Sequence, residues 1–166
     1  MPNKTRSLKK TPASISQWEK LGARLIKDIL QVLDFGASTR VKPRVELRIV
    51  GSAPMIRLNR AWRKKNKVTD VLSFSAPEIF RTQGHLGELV VCLPVLKKQA
   101  KDLRHSPEAE LQILLVHGVL HLLGMDHEGS KKAAREMARW EANILAELYG
   151  STERAVERKG LIQRSS

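Results

Sequence analysis

The sequence predicts an α+β fold, in which a small mixed β-sheet packs against about five α-helices in a single domain. Two observations lead to this class. The chain has 166 residues, of which 42% are hydrophobic and 28% charged, the size and composition of one globular domain. Segments with apolar residues at three- and four-residue steps, typical of helices, are interspersed with short segments that have the apolar pattern of strands. We find no internal repeats.

The first elements are an amphipathic helix, a strand and a short helix. The helix is predicted from about Ser14 to Leu33, with its apolar face formed by Trp18, Leu21, Leu25, Ile29 and Val32. In "RVELRIVG" the apolar residues alternate with Glu and Arg, which predicts a half-buried strand. "SAPMIRLNRAWR" then predicts a helix with Ser52 as its N-cap and Pro54 in its first turn.

The second half of the domain is predicted as two strands followed by three helices. "VLSF" and "ELVVCL" are the strands, separated by the loop "SAPEIFRTQGHLG". The helices are "PVLKKQAKDLR", the strongly apolar residues 108–123, and "KKAAREMARWEANILAELYG", which ends at Gly150. We expect all three tryptophans in the core, Cys92 buried, and two histidines on the surface: Trp18, Trp62, Trp140, His85 and His105.

Two basic tails, residues 1–13 and 151–166, are predicted to flank the domain at 14–150. The chain carries 30 Lys and Arg against 17 Asp and Glu, a net charge of +13. This surplus favours a polyanionic partner such as nucleic acid or an anionic membrane surface, with solubility alone as the alternative. No apolar run approaches the ~20 residues that span a bilayer, and the first residues lack the apolar segment of a signal peptide. The single cysteine excludes an internal disulfide, so we expect the cytoplasm.

Three histidines lie in "LLVHGVLHLLGMDHE", residues 114–128. His117 and His121 are four residues apart in a predicted helix, so their rings leave the same face. Gly124 can end that helix and turn the chain so that His127 approaches the pair. Three neutral imidazoles leave a fourth position of a tetrahedral zinc ion open for water, the arrangement of a catalytic site. The alternative is three core histidines hydrogen-bonded to backbone carbonyls.

The histidine spacing also matches H-x-x-x-H-x-x-G-x-x-H, the ligand pattern of the metzincin peptidases. Those enzymes have a glutamate directly after the first histidine, which serves as the general base. In this sequence the position is Gly118. A zinc metallopeptidase therefore remains an alternative, but without a base at the usual position.

Beyond spacing, "HGVLHLLGMDH" resembles the H-G-x-x-H-L-x-G-x-D-H signature of the YbeY family, the bacterial ribosomal RNA maturation endoribonucleases. "LNRAWRKKNKVTDVLSF" and "HLGELVVCLPVLKKQA" are similar to two further segments of that family, and together the matches span residues 56–148. The resemblance implies a metal-dependent, zinc-type hydrolase that cuts single-stranded RNA. It implies one Zn²⁺, or another divalent transition metal, on His117, His121 and His127. It also implies partners among ribosomal RNA or ribosomal particles, in RNA maturation and ribosome quality control.

Three further residues acquire predicted roles beside such a site. Arg63 presents a planar set of donors that matches phosphate oxygens, so we expect it to neutralise phosphate charge during catalysis. Glu88 stands where the family most often has aspartate, and we expect this carboxylate to assist proton transfer. Asp126 is predicted to orient a ligand histidine through a hydrogen bond, or only to close the turn.

The segment around Arg63 is a predicted substrate-binding region. Lys64, Lys65 and Lys67 follow it closely, and we expect them to contact the phosphate backbone; a solvated loop is the alternative. Asn59 lies one turn earlier on the same face, either as a substrate contact or as a structural bond to the loop. A non-catalytic RNA-binding module that uses metal to fold is the other alternative, but it needs a fourth protein ligand, and the motif has no further Cys or His.

Overall fold

A computed structural model describes residues 11–33, 41–125 and 129–149 of the chain. The predicted C-terminal tail, Gly150 and the first ten residues lie outside these ranges. Over the described ranges the elements are α1 (Ile15–Val32), β1 (Arg44–Val50), α2 (Ser52–Arg63), β2 (Val71–Ser75), α3 (Glu78–Arg81), β3 (His85–Cys92), α4 (Leu93–Asp102), α5 (Pro107–Leu122) and α6 (Lys131–Tyr149). The predicted α+β class is confirmed.

The sheet is small and mixed, with strand order β1-β3-β2. β3 pairs in parallel with β1 and antiparallel with β2, so β3 is central and β2 forms an edge. Side chains of a strand alternate between the two faces of the sheet. Leu89 and Val91 therefore join the large core formed with α1, α5 and α6, whereas Val90 and Cys92 join a smaller core with Met55 of α2.

The ends of two helices follow from local chemistry. The Ser14 hydroxyl accepts a hydrogen bond from the backbone N–H of Gln17, which caps α1 where the sequence predicted the helix to begin. At α2 the prediction of Ser52 as N-cap is wrong. Gly51 occupies that position without a side-chain hydrogen bond, and Ser52 is the first helical residue. Pro54 does lie in the first turn, where its missing N–H leaves no helical hydrogen bond unmade.

The predicted loop at residues 75–87 contains more regular structure than expected. It includes the single turn α3, and β3 begins already at His85. A four-residue helix is too short to display helical periodicity in the sequence. The strand start was concealed because Gly87, at φ 147°, interrupts the alternation at an irregularity in the pairing with β1.

Two of the three tryptophan predictions are wrong. Trp18 is buried, but Trp62 is 68% exposed and Trp140 is 50% exposed. Both lie on amphipathic helices at positions that face solvent rather than the sheet. The prediction that His105 lies on the surface is also wrong. Its ring is nearly buried, and its Nε2 lies 2.5 Å from Oε2 of the buried Glu110. His85 is partly buried, with Nε2 3.6 Å from Oε1 of Glu46.

Cys92 is buried, as predicted. None of the helices in the described part of the chain is both long and apolar enough to cross a membrane.

Candidate functional site

The helix α5 positions two of the predicted ligands. Ser106 caps its start by accepting from the N–H of Ala109, and Pro107 occupies the first turn. From residue 111 to residue 122 every side of this helix is buried except at His117 and His121, which are partly exposed. A helix that is apolar all round is held in the core by packing. The two histidines therefore open to solvent from a rigid support.

The two imidazole rings lie close together in an edge-to-face arrangement. Nε2 of His117 and Nε2 of His121 are 3.0 Å apart, and the ring centroids are separated by 4.6 Å. On the other side of His117, Nδ1 lies 2.5 Å from Oε1 of Glu141, a buried residue of α6. A carboxylate accepts hydrogen bonds, so His117 donates through Nδ1–H and keeps the lone pair of Nε2 for another partner.

This arrangement fits a metal ion. Two ligand nitrogens on one tetrahedral zinc ion lie about 3.3 Å apart, given Zn–N bonds of ~2.0–2.1 Å. Histidine ligands commonly donate their second N–H to a carboxylate, as His117 does to Glu141. His127 and Asp126 lie outside the described residues. Among residues 11–33, 41–125 and 129–149, no group of three or more His, Cys, Asp and Glu side chains is arranged to hold a metal ion. The metal site therefore stays a prediction.

The predicted turn after His121 is confirmed. Gly124 adopts φ 88°, in the left-handed region that favours glycine. Its N–H donates to the carbonyl of His121, and the N–H of Met125 donates to that of Leu120, at 2.9 and 3.1 Å. These two bonds form the Schellman arrangement that ends a helix. The chain thus leaves the α5 axis directly after the histidine pair.

Arg81 of α3 also holds this end of α5. Its Nη1 donates to the carbonyl of Leu122 at 2.8 Å. The same nitrogen also donates, at 3.4 Å, to the carbonyl of Leu86 near the start of β3. Carbonyls in the last turn of a helix lack helical partners, and a guanidinium supplies both charge and donors there. The turn that follows His121 is therefore tied to the sheet.

Gly118, which stands where the peptidases have their glutamate base, leaves no room for a larger side chain. A Cβ added to Gly118 would lie 2.7 Å from Cδ2 of Leu89, which is itself fully buried in the sheet. A glutamate side chain cannot be placed there without displacing the core. The geometry therefore argues against the metallopeptidase alternative.

Glu88 lies on the α2 side of the sheet, since its neighbour Leu89 points to α5. Its carboxylate forms an ion pair with Nε of Arg48 on the adjacent strand β1. Phe74, the residue paired with Glu88 in β2, contacts the ring of Trp62 next to Arg63. The role of Glu88 in proton transfer stays a prediction.

The predicted substrate-binding segment divides into one buried residue and several exposed cations. Asn59 is buried, and its Nδ2 donates to the carbonyl of Lys67 at 2.7 Å. Of the two predicted alternatives for Asn59, the structural bond to the loop is the one observed. The cations are exposed and follow one another at the end of α2: Arg63, Lys64, Lys65 and Lys67. Lys64 adopts φ 59° at the C-cap, which turns the chain there.

Sequence reasoning missed Glu141 and Arg81. A signal was present for the first, because Glu141 lies four residues after Met137 and three before Ile144, on the buried face of α6. A carboxylate on an apolar helix face requires a partner in the core. No comparable signal marks Arg81, because its bond to Leu122 joins residues 41 positions apart.

The comparison with protein families agrees with this geometry. A family model described as Endoribonuclease YbeY matches residues 5–149 of the chain. The chain belongs to the YbeY family. It is 45% identical over 106 residues to an Endoribonuclease YbeY from Myxococcus xanthus, covering 62% of this chain and 36% of that protein. For an Endoribonuclease YbeY from Aquifex aeolicus the identity is 42% over 91 residues, covering 55% of this chain and 61% of the relative.

Coverage is more complete for other relatives. A YbeY endoribonuclease from Solibacter usitatus is 35% identical over 141 residues, covering 83% of this chain and 86% of that protein. A solution structure of a protein from Thermotoga maritima has a TM-score of 0.56 at 26% identity, covering 79% of this chain and 83% of that one. This chain thus shares its fold with the solved structure from Thermotoga maritima.

Proposed function

We propose that this protein is a metal-dependent endoribonuclease that hydrolyses single-stranded RNA. The observation that carries the proposal is the pair of histidine nitrogens converging at the end of a buried helix, with Glu141 behind one of them. Family membership supports the same activity. We further propose, from the resemblance, that its substrates are ribosomal RNA or ribosomal particles, in RNA maturation and quality control in the cytoplasm.

His117, His121 and His127 would hold the metal, as one Zn²⁺ per chain or another divalent transition metal. When bound, such an ion would supply Lewis-acid chemistry, by which phosphate oxygens are polarised and water is made more acidic. Glu141 holds the ring of His117 in the required tautomer and orientation. Asp126 is proposed to orient a ligand in the same way.

The residues at the end of α2 are proposed to bind the RNA backbone. Arg63 is exposed and carries no ion pair with a described carboxylate, so its guanidinium can contact phosphate oxygens near the scissile bond. Lys64, Lys65 and Lys67 add charge that attracts the polyanion from a distance.

We propose that water is the nucleophile. Its oxygen bonds to phosphorus, the bond from phosphorus to the leaving oxygen breaks, the water proton passes to a carboxylate, and the leaving oxygen takes up a proton from solvent. Glu88 is our candidate acceptor, supported by its partial exposure; its side chain leaves the sheet on the α2 side, with Arg63, and not on the side of α5. Glu88→Gln should then lower the cleavage rate with metal content unchanged; wild-type cleavage by this variant would remove Glu88 from the reaction.

The test compares matched RNA and 2′-deoxy oligomers incubated with metal-loaded protein. Water attack predicts RNA products without a 2′,3′-cyclic phosphate and slow cleavage of single-stranded DNA as well. Cleavage that requires the 2′-hydroxyl and leaves a cyclic phosphate would contradict the water route but keep the nuclease. RNA binding without cleavage would favour the metal-stabilised binding module, and cleavage of a peptide panel alone would favour a peptidase. A His121→Ala control that cleaves RNA equally would indicate a contaminating nuclease.

A further inference from the structure

Trp62 is the most exposed large hydrophobic residue in the described part of the chain. It lies in the last turn of α2, and its ring packs edge-on against Phe74 of β2, with centroids 5.5 Å apart and an interplanar angle of 64°. The indole therefore has a fixed support on one side while the rest of its surface faces solvent. Exposed tryptophan is unusual, and one held in place suggests a surface that binds something.

Further exposed apolar side chains follow Phe74 along the chain. β2 is an edge strand, and the chain that leaves it forms α3, where Ile79 and Phe80 are exposed. We call Trp62, Phe74, Ile79 and Phe80 the aromatic edge. Next to Phe80, Arg81 donates to the carbonyl of Leu122 at the end of α5. In chain order the aromatic edge thus runs from α2 through β2 to α3, which Arg81 bonds to the last turn of α5.

The stretch of sequence that contains Trp62 carries charge of one sign. Between Glu46 and Asp70 the sequence contains seven cationic residues and no carboxylate: Arg48, Arg57, Arg60, Arg63, Lys64, Lys65 and Lys67. Of these, only Arg48 forms an ion pair with a carboxylate in the described ranges. The other six are exposed. An exposed indole followed in sequence by exposed cations is complementary to a ligand that has both flat apolar faces and phosphates.

We propose that the aromatic edge is a stacking platform for unpaired nucleobases of RNA, which leads the strand toward the histidine pair. That the ligand is single-stranded RNA rests on the proposed function; an exposed platform suits such a strand, because bases in a duplex already stack on each other and leave no face free. Binding grooves for single strands combine aromatic side chains under the bases with cations along the backbone. Stacking tolerates any base, so the platform adds affinity without sequence preference.

The experiment measures binding of a fluorescently labelled, unstructured RNA 12-mer to the full chain in EDTA, so that no cleavage occurs. Trp62→Ala should weaken binding roughly 5- to 100-fold, because stacking on an aromatic side chain contributes that much per base. Trp62→Phe should retain most of the affinity. Trp140→Ala is the matched control, since it removes an exposed tryptophan from α6, and it should bind as the wild type does.

Two further arms separate stacking from other causes. An abasic 12-mer keeps the phosphates but has no bases, so wild type and Trp62→Ala should bind it equally. The salt dependence should be the same in both proteins, because Trp62 neutralises no phosphate, whereas a Lys64→Ala, Lys65→Ala double variant should show a shallower dependence.

Equal binding of the base-containing RNA by wild type and Trp62→Ala would overturn the proposal. An equal loss of binding on the abasic strand, or with Trp140→Ala, would do so too. Trp62-dependent binding to vesicles with anionic phospholipid, together with Trp62-independent RNA binding, would assign the surface to a membrane instead. Cleavage is measured separately with metal-loaded wild type. Cleavage with Trp62-independent binding refutes only the platform, and Trp62-dependent binding without cleavage refutes only the nuclease.

Discussion

The helix α5 and the segment from Arg57 to Lys67 both contribute to the proposed site, but they are built in opposite ways. From Leu111 to Leu122 of α5 every residue is buried except the two histidines. In the segment from Arg57 to Lys67 the cations are exposed and only Asn59 is buried. Its hydrogen bond to the carbonyl of Lys67 holds the loop in place. Residues that must converge on one point need a rigid support, since small displacements cost catalytic rate. Cations that attract a flexible polyanion need only lie on the surface.

The comparison predicts that single changes in α5 have large effects and that changes in the exposed segment have smaller, salt-dependent ones. The largest effect is expected at the ligands. Protein purified without chelator should carry about one metal ion per chain, measured by elemental analysis, and His121→Ala should abolish occupancy and RNA cleavage. Full metal content in a variant with alanine at His117, His121 and His127 would end the metal hypothesis.

A second change in α5 tests its packing rather than its ligands. Gly118→Glu restores the residue of the peptidase pattern, but it places a charged side chain against the buried Leu89. We expect a loss of about 3 kcal/mol or more in the free energy of unfolding, from overpacking and an uncompensated buried charge. Gly51→Glu is the control, because nothing lies within 4 Å of a Cβ added there. Urea titration of both variants gives the comparison. A stable Gly118→Glu protein with peptidase activity would contradict our account of α5.

A third prediction concerns the residue that supports His117 from α6. Glu141→Ala should weaken metal affinity about 10- to 100-fold, because the ring loses the acceptor that holds its orientation. Glu141→Gln should lose less, since an amide oxygen still accepts from Nδ1–H. Competition with a chromophoric chelator measures the affinity without any cleavage assay. Glu147→Ala, an exposed carboxylate of the same helix, should bind metal as the wild type does. Equal affinities in the Glu141 and Glu147 variants would show that α5 alone positions the ring.

The smallest effect is expected in the exposed segment. Arg63→Ala should lower the cleavage rate roughly 10-fold or more with metal content unchanged, the amount expected for loss of charge-assisted hydrogen bonds. Arg63→Lys should recover only part, because an ammonium group cannot contact two phosphate oxygens in the same planar geometry. Thermal unfolding should be unchanged in both, since the side chain is exposed. Cleavage by Arg63→Ala at the wild-type rate would exclude the role we assign to it.

Much of this architecture could be predicted because it depends on interactions local in the sequence. The cap of α1 at Ser14, the burial of Cys92 within an apolar strand and the end of α5 at Gly124 each follow from residues a few positions apart. The histidine pair belongs to the same class, since two residues four apart on a helix face the same way whatever surrounds them. The one-turn α3 is the local element that periodicity could not reveal.

The sequence by itself therefore determined the five longer helices, the three strands apart from the start of β3, the histidine pair and the turn after it. Only the tertiary structure decided which apolar faces are covered and which polar groups meet. Trp62 and Trp140 lie on amphipathic helices like Trp18, but only Trp18 faces the core. Glu141 meets His117 across 24 residues of sequence, and His105 is drawn into the interior beside Glu110. Periodicity shows that a helix has an apolar face, but the packing of other elements determines how much of that face is removed from water.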